Sequence, residues 1–377
     1  MTDMMIRKTF LTLMLALFVL AGRAQLMTGA TNPQGQIKAE VSETVELMAV
    51  LSRTSGYQEY CMDQAGQYTK DTEAWFAEYK NHPIIAYYQD IRAKHDISHD
   101  AVMTMAIHLE IDKGKVKFIG EKADLGKRWE NVDVDAFVDQ LNKFYKDTRF
   151  RQFFEQHQAF YNDGLKSYET NVLQFFHQEW YSRFYGTEPV EQFRIIVGFG
   201  NGGHSYGPNR QLPGQPKEVF SICGYCLNPT TGQPFWDAAV LIHEFNHSFV
   251  NPLLDNPTNA AMMEKVGQKL LQFSQPEMES QAYNDWHTVI NESIVRAAVY
   301  IYMREYGLVN RGTTNFLFEE VWRKGFRWTP ELVAALQNYT ANRGQYKTLN
   351  DFYPEIAACL TEYVKKEAER LQKVLQP

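Results

Sequence analysis

The sequence predicts a mainly α-helical fold with a small β-sheet, an α+β arrangement. Apolar residues recur at helical spacing through most of the first half and again in the last third. Only two long runs look like strands: Phe193–Phe199, which is β-branched and bounded by glycine, and Glu218–Tyr225. A shorter strand is expected at Lys115–Ile119. We therefore expect one small sheet among many helices.

The patterning changes at Glu188, where helices give way to strands. We predict a mainly helical region over residues 25–187 and a catalytic region with a helical tail over residues 188–377. The helices expected in the first region are Val41–Leu51, Asp71–Lys94 with a break at His82-Pro83, Ser98–His108, Val134–Arg149 and Phe153–Phe184. Those expected after the strands are Ala260–Phe273, Gln281–Tyr306 ended by Gly307, Glu319–Arg327, Pro330–Tyr339 and Pro354–Leu375.

Composition narrows the class of protein. With 377 residues, 44% hydrophobic and 22% charged, the chain has the composition of a folded globular protein. A net charge of −7 argues against nucleic acid and acidic membrane surfaces as partners. Aromatic residues make up 14% of the chain, and a core location is their commonest explanation.

The first 24 residues have the features of a signal peptide. Arg7 and Lys8 precede an apolar run, Phe10–Ala21, and small residues follow up to Ala24. The apolar run is too short to span a bilayer comfortably, and no other stretch looks transmembrane. We therefore expect an exported protein, periplasmic or secreted, that begins at Gln25 and has no stable membrane insertion.

The main chemical motif is H-E-x-x-H at His243, Glu244 and His247. On a helix, residues four apart lie one above the other, so both imidazoles could bind one Zn²⁺, with the glutamate as general base. Asp237 is expected to cap this helix at its start. Because Asn251 precedes Pro252, the helix is expected to stop near Val250. Two ordinary histidines on an amphipathic helix are the alternative explanation.

A catalytic zinc usually has three protein ligands, and Glu292 is the candidate for the third. It lies in Val289–Tyr302, which is apolar nearly all the way round and therefore predicted to be a buried helix. A buried carboxylate needs a positive partner. That partner could be the metal or, without a metal, an ion pair with Arg296 one turn later.

The motif H-E-F-N-H with a downstream N-E-S-I-V-R-A resembles the gluzincin branch of the zinc metallopeptidases. This resemblance implies a zincin-like fold, with a short sheet beside the motif helix and a helical lobe across the cleft. It also implies a His₂Glu zinc site and a peptide or protein substrate. The wider chain, from about Val41 to Tyr306, resembles an exported bacterial family known only as a domain of unknown function, notably in H-E-F-N-H-S-F-V-N-P-L and the upstream A-V-M-T-M-A-I-H. Arg296 stands where thermolysin-like enzymes carry an aspartate that orients a zinc-bound histidine, and the G-A-M-E-N aminopeptidase signature is missing.

The function expected from these residues is metal-assisted hydrolysis. Zn²⁺ held by His243, His247 and Glu292 would activate water, and Glu244 would take the proton and pass it to the leaving amine. The strand Glu218–Tyr225 could bind an extended peptide along its edge. The candidates to stabilise the oxyanion are Arg296, His204, Tyr300, Tyr206 and His287.

Three alternatives remain open at this stage. The protein could keep a zincin fold for binding without turnover, or it could be a zinc amidase acting on a non-peptide substrate in cell-wall or glycan material. It could also be a thiol oxidoreductase that uses Cys223 and Cys226, a C-x-x-C pair. The loop that follows Cys226 lacks a thioredoxin-like context, so a structural disulfide or two inert thiols is the favoured interpretation of this pair.

Overall fold

The computed structural model describes residues 37–62, 65–186, 192–308 and 316–375. The predicted signal peptide, residues 1–24, lies outside these ranges. Within them the fold is mainly α-helical with small sheets, which confirms the predicted fold class. None of the helices in the described ranges is both long and apolar enough to cross a bilayer.

Eight helices precede the central strands in the described part of the chain. They are α1 (Glu43–Thr54), α2 (Gln67–Phe76), α3 (Pro83–His95), α4 (Asp100–Ile107), α5 (Val134–Asp147), α6 (Phe150–Gln156), α7 (Gln158–Asn171) and α8 (Glu179–Tyr185). The predicted break at His82-Pro83 is confirmed, because His82 is the N-cap of α3 and Pro83 its first residue.

The helical pattern predicted over Phe153–Phe184 is interrupted, since the chain there forms three helices and a 3₁₀ turn, Leu173–Phe175. The backbone leaves the helical region at Phe176, where ψ is 126°. No proline forces this break. Phe176 instead packs its ring on Phe245, and His177 stacks on Tyr306 with ring centroids 3.7 Å apart. Tertiary packing of aromatic rings therefore overrides the helical pattern.

The main sheet has four strands in the order β1-β4-β6-β5. These are β1 (Ala39–Glu40), β4 (Gln192–Gly198), β5 (Asn209–Arg210) and β6 (Glu218–Gly224), and β5 is the antiparallel one. Both predicted long strands are therefore confirmed, and they pair in parallel with Phe193 opposite Val219. Strand β6 has neighbours on both sides, so the predicted peptide binding along its edge is wrong. The edge strand beyond it is β5.

The remaining strands form two smaller sheets of two strands each. One is a hairpin of β2 (Leu109–Asp112) and β3 (Lys115–Phe118), which confirms the predicted short strand. Its turn residues Lys113 and Gly114 both have positive φ, as a two-residue hairpin requires. The other pairs β7 (Cys226–Leu227) with β8 (Pro234–Phe235).

The carboxyl-terminal part is helical. It contains α9 (Ala238–Asp255), α10 (Pro257–Phe273), α11 (Gln275–Ser280), α12 (Trp286–Glu305), a short helical segment Phe316–Phe318 that runs into a π-helical turn Glu319–Arg323, α13 (Thr329–Ala341) and α14 (Tyr353–Leu375). Helix α12 ends at Glu305 with Tyr306 as its C-cap, and the φ of 66° at the following Gly307 confirms the predicted glycine stop.

Three predicted boundaries in this part are wrong. The motif helix α9 does not stop near Val250 but continues through Pro252 to Asp255, because Leu254 is buried and the Asn259 amide caps the Leu253 carbonyl. The helix predicted from Gln281 begins only at Trp286, since Asp285 accepts a hydrogen bond from the Thr288 amide as N-cap. Only Glu319–Arg323 of the predicted helix Glu319–Arg327 is helical, as a π-turn.

The two predicted regions share the main sheet, because β1 from the first pairs with β4 from the second. They also share one hydrophobic core that runs from Ala39 to Leu360. Trp129, Trp180 and Trp328 are fully buried in it, so many of the aromatic residues serve the core. The division into two regions stays a prediction from sequence patterning.

Candidate metal centre

Helix α9 brings the two histidines of the motif together. Asp237 begins the helix by accepting a hydrogen bond from the Ala239 amide at 2.8 Å, as predicted for an N-cap. Ile242 and Phe245 are buried and hold one face of α9 against the core. The rings of His243 and His247 therefore lie one above the other, with their Nε2 atoms 3.1 Å apart.

Helix α12 supplies the third side chain. It packs against α9, and its residues are buried nearly all the way round, as the sequence predicts. Glu292 Oε1 lies 3.3 Å from His247 Nε2, and Oε2 lies 3.5 Å from His243 Nε2. One ligand atom from each of the three residues lies within 4.8 Å of the others. The structure thus brings together the three residues predicted as metal ligands.

The polar atoms of this cluster fit a divalent cation. The two facing Nε2 atoms can share at most one proton, so one of them presents a lone pair to the other. Two ligands of a tetrahedral ion with bonds of about 2.0–2.1 Å would lie about 3.3 Å apart. His247 Nε2 lies close to that distance from both His243 Nε2, at 3.1 Å, and Glu292 Oε1, at 3.3 Å. Two imidazoles and a carboxylate are also a donor set that zinc binds.

Arg296 is the direct partner of Glu292. Its Nη2 lies 2.8 Å from Glu292 Oε2, so the ion pair expected without a metal is present as well. The pair lacks hydrogen-bond geometry, and Oε2 has no hydrogen-bond donor among the described residues. The same guanidinium contacts Glu320 Oε2 at 2.8 Å and donates to the Tyr283 hydroxyl at 3.1 Å. A bound metal and Arg296 would therefore both contact the carboxylate of Glu292.

Burial and charge separate the pKa values of the cluster. Burial lowers the pKa of His243 to about 4. Burial also opposes the charged form of His247, but the adjacent Glu292 carboxylate outweighs it and raises that pKa to about 9. Burial raises the pKa of Glu244 to about 7. Glu292 is held well below its usual range despite burial, because Arg296 and His243 favour its charged form.

Glu244, the predicted general base, lies on the buried part of α9 with 8% of its surface exposed. The charges of His247, Glu292 and Arg296 all act on its carboxyl group. The backbone of Glu244 is covered by Gly207, where a Cβ atom would lie 2.1 Å from the Glu244 carbonyl oxygen. Only glycine allows the strand segment beside β6 to approach the motif helix so closely.

The other predicted catalytic residues have their contacts elsewhere. His204 Nε2 lies 3.2 Å from Met62 Sδ, and its ring is 6.2 Å from that of His99. Tyr300 packs against Phe316. Of the four residues predicted as catalytic, Glu244 and Arg296 lie at the cluster. His204 contacts loop residues of the amino-terminal part, and Tyr300 contacts the segment before the π-turn.

Two further candidates for the oxyanion also contact other groups. Tyr206 bridges to Ile222 and stacks on Tyr60. His287 lies 3.9 Å from an oxygen of Asp255 at the surface. Neither contact brings the side chain to the His243–His247 pair.

Sequence reasoning missed three residues around the cluster. Asn251 could have been found, since it follows His247 by one helical turn and its Oδ1 lies 3.2 Å from His247 Nδ1. Tyr283 and Glu320 could not have been found from their spacing in the sequence. Tyr283 lies in a loop and Glu320 in the π-turn, neither of which has a regular relationship to the motif helix. Their contacts with Arg296 exist only in the folded chain.

The two cysteines of the C-x-x-C pair lie in β6 and β7. All four cysteines are free thiols, which agrees with inert thiols rather than a disulfide between Cys223 and Cys226. Cys223 is buried beside the Tyr168 hydroxyl at 3.1 Å, and burial raises its pKa to about 11. A thiol with so high a pKa supplies little thiolate near neutral pH.

Comparison with known proteins places the chain in a family. No curated protein and no solved structure matches it. A family model described as "Domain of unknown function (DUF4932)" matches residues 37–359. This range includes the central strands β4 and β6, the motif helix α9 and the helix α12 that carries Glu292. The match covers most of the chain, and the protein therefore belongs to this family, DUF4932.

Proposed function

We propose that the protein is an exported zinc-dependent hydrolase of the gluzincin type, and specifically a metallopeptidase. The observation that carries the proposal is the convergence of His243, His247 and Glu292 from two separate helices. These residues would hold the zinc ion. The H-E-x-x-H spacing on a helix and the buried Glu244 beside the first histidine support catalysis rather than binding alone.

Zinc, when bound, supplies a Lewis acid that polarises a carbonyl and lowers the pKa of water to about 7. Glu244 takes up and transfers the proton. Its carboxyl group accepts the proton as a general base and later returns it, as an acid, to the leaving amine. The burial of Glu244 keeps this proton away from bulk water.

A peptide or protein is the proposed substrate, on the strength of the resemblance to gluzincins. The edge strand next to β6 is β5, and the segment 206–210 that contains it is the proposed binding site for an extended chain. This segment passes directly over the Glu244 backbone at Gly207. An added strand there would run beside the proposed general base.

Metal analysis of the purified protein tests the zinc site. Wild type is expected to hold one zinc ion per chain and Glu292→Ala to hold much less, while Glu264→Ala, an exposed glutamate on α10, keeps the wild-type content. Equal zinc in wild type and Glu292→Ala would remove the third ligand from the proposal.

Hydrolysis of a broad peptide library tests the catalytic part. Glu244→Gln is expected to keep its zinc and to lose cleavage by a factor of 10² or more, about the contribution of general base catalysis. If zinc-loaded wild type cleaves no peptide, a binding protein with this fold replaces the peptidase. If it cleaves only amides in cell-wall or glycan material, an amidase replaces it.

A further inference from the structure

Arg296 lies between two buried carboxylates. Its Nη2 lies 2.8 Å from Glu292 Oε2 on the same helix, and its Nη1 lies 2.8 Å from Glu320 Oε2 in the π-turn. Lys324 reaches the second oxygen of Glu320 at 2.9 Å. A continuous line of alternating charges therefore runs from the surface at Lys324 to the carboxylate beside the two histidines.

Two of the charged side chains in this line, Arg296 and Glu320, are buried. The side chain of Glu320 is 2% exposed and that of Arg296 is 7% exposed, so neither charge is well solvated. Two further contacts hold Arg296. Its side chain donates a hydrogen bond to the Tyr283 hydroxyl, and its guanidinium lies 4.6 Å from the centre of the Phe326 ring. Both ends of the planar fork and one face of the guanidinium are therefore in contact, which restricts its orientation.

The π-helical turn explains how Glu320 reaches this position. The wider turn directs Glu320 into the protein while its neighbours Glu319, Trp322 and Arg323 lie toward solvent. Two backbone hydrogen bonds end this turn. The Lys324 amide donates to the Glu319 carbonyl at 2.9 Å, and the Phe326 amide donates to the Glu320 carbonyl at 2.8 Å. Such insertions cost helix stability and are frequent at functional sites.

We propose that Glu320 is a positioning residue for the metal ligand Glu292 and acts through Arg296. By holding the guanidinium against Oε2 of Glu292, it leaves Oε1, which lies 3.3 Å from His247 Nε2, as the oxygen free to bind a cation. Glu292 would then bind through a single oxygen. The inference rests on the proposed zinc site.

The alternative is that Glu320 only neutralises a buried arginine. That role would affect stability but neither metal affinity nor coordination number. The proposed role affects both, because a Glu292 carboxylate without a fixed Arg296 can rotate and offer both oxygens to the ion. Second-shell partners of this kind typically change metal affinity by about 10–100-fold when removed.

The experiment compares the full chain with Glu320→Gln, using Glu319→Gln as the matched control one residue away, where the carboxylate pairs with Arg323 near the surface. Chelator competition gives the Zn²⁺ dissociation constant. The visible spectrum of the Co²⁺-loaded protein reports the coordination number, since four-coordinate Co²⁺ absorbs more strongly than five-coordinate Co²⁺. Circular dichroism and thermal unfolding without metal report the fold.

We expect Glu320→Gln to raise the Zn²⁺ dissociation constant by about 10–100-fold and to weaken the Co²⁺ absorption, while Glu319→Gln matches wild type in both. A folded Glu320→Gln with wild-type affinity and spectrum would overturn the positioning role even if its thermal stability falls. Wild type that binds neither Zn²⁺ nor Co²⁺ would overturn the proposed zinc site itself.

If Glu320→Gln does not fold, a second variant, Arg296→Lys, tests the same proposal. Arg296→Lys keeps the positive charge but has a single ammonium group that cannot reach both carboxylates as the fork does. It is expected to show the same weakened Co²⁺ absorption. A wild-type spectrum in Arg296→Lys would contradict the proposal.

Discussion

The Nδ1 atom of His247 lies 3.2 Å from Oδ1 of Asn251, one turn later on the motif helix. An amide oxygen only accepts hydrogen bonds, so the imidazole must donate from Nδ1. A neutral ring that donates from Nδ1 has its lone pair on Nε2, the atom that faces His243 and Glu292. Asn251 thus selects the tautomer that a metal ligand needs.

Replacement of Asn251 by alanine is expected to weaken zinc binding by about 10-fold or more, since the ring loses the partner that fixes its tautomer and orientation. Competition with a chelator measures the dissociation constant. Asn338→Ala, an exposed asparagine in the middle of α13, is the control and should leave the constant unchanged. Identical zinc affinity in Asn251→Ala and wild type would mean that the contact has no role at the site.

Gly207→Ala is expected to destabilise the protein by about 1–3 kcal/mol, the usual cost of overpacking. The new Cβ would lie 2.1 Å from the Glu244 carbonyl oxygen and must push the strand segment off the motif helix. Denaturant unfolding measures the change. Gly344→Ala is the control, because a Cβ there meets nothing within 4 Å. If both variants unfold at the wild-type midpoint, the close approach is not a constraint.

Glu46 is expected to make stability depend on pH. Its side chain is fully buried and accepts hydrogen bonds from the Phe199 amide at 2.7 Å, the Gly200 amide at 3.0 Å and the Tyr68 hydroxyl at 2.6 Å. Burial nevertheless raises its pKa from 4.5 to about 7. Because the folded state binds the proton more tightly, this contribution to stability is complete below pH 4.5 and is lost as the pH rises to about 7.

The test compares the free energy of unfolding of wild type and Glu46→Gln across that pH range. Relative to Glu46→Gln, wild type is expected to lose roughly 3 kcal/mol between the unfolded and folded pKa values. Glu169→Gln, an exposed glutamate on α7, is the control and should run parallel to wild type. A wild type that gains stability relative to Glu46→Gln as pH rises would show that the sign is wrong.

Cys223 is expected to resist alkylation in the native protein. Its thiol is buried, and burial raises its pKa to about 11, so few thiolates form near neutral pH. Iodoacetamide labelling followed by mass spectrometry should modify Cys226, which is partly exposed, well before Cys223. All four cysteines should react after denaturation. Rapid native labelling of Cys223 would reopen the redox alternative.

Local signals in the sequence determined a large part of the fold. The β-branched run at Phe193–Phe199 and the run at Glu218–Tyr225 predicted the two main strands, which pair as β4 and β6. Asp237 and Gly307 predicted a helix start and a helix stop. These features depend on residues near one another in the chain, and for that reason a pattern can reveal them.

Predictions failed where distant packing outweighs a local preference. Pro252 would end an isolated helix, but α9 continues because Leu254 is buried and Asn259 caps the Leu253 carbonyl. Phe176 breaks a long helical pattern because its ring packs on Phe245. The buried role of Glu46 carries no local signal, because its partners at Phe199 and Gly200 are far along the sequence.

The sequence by itself determined the fold class, the helix that carries His243, Glu244 and His247, and the choice of Glu292 as the acidic residue to join them. Helical spacing and the cost of an unpartnered buried carboxylate were enough for that. The sequence also offered Arg296, one helical turn later, as a partner of Glu292, and the two side chains do meet. Only the tertiary structure decided that Arg296 is held by Glu320 and Tyr283. Those contacts join segments with no common period, so their energies arise only when the helices pack.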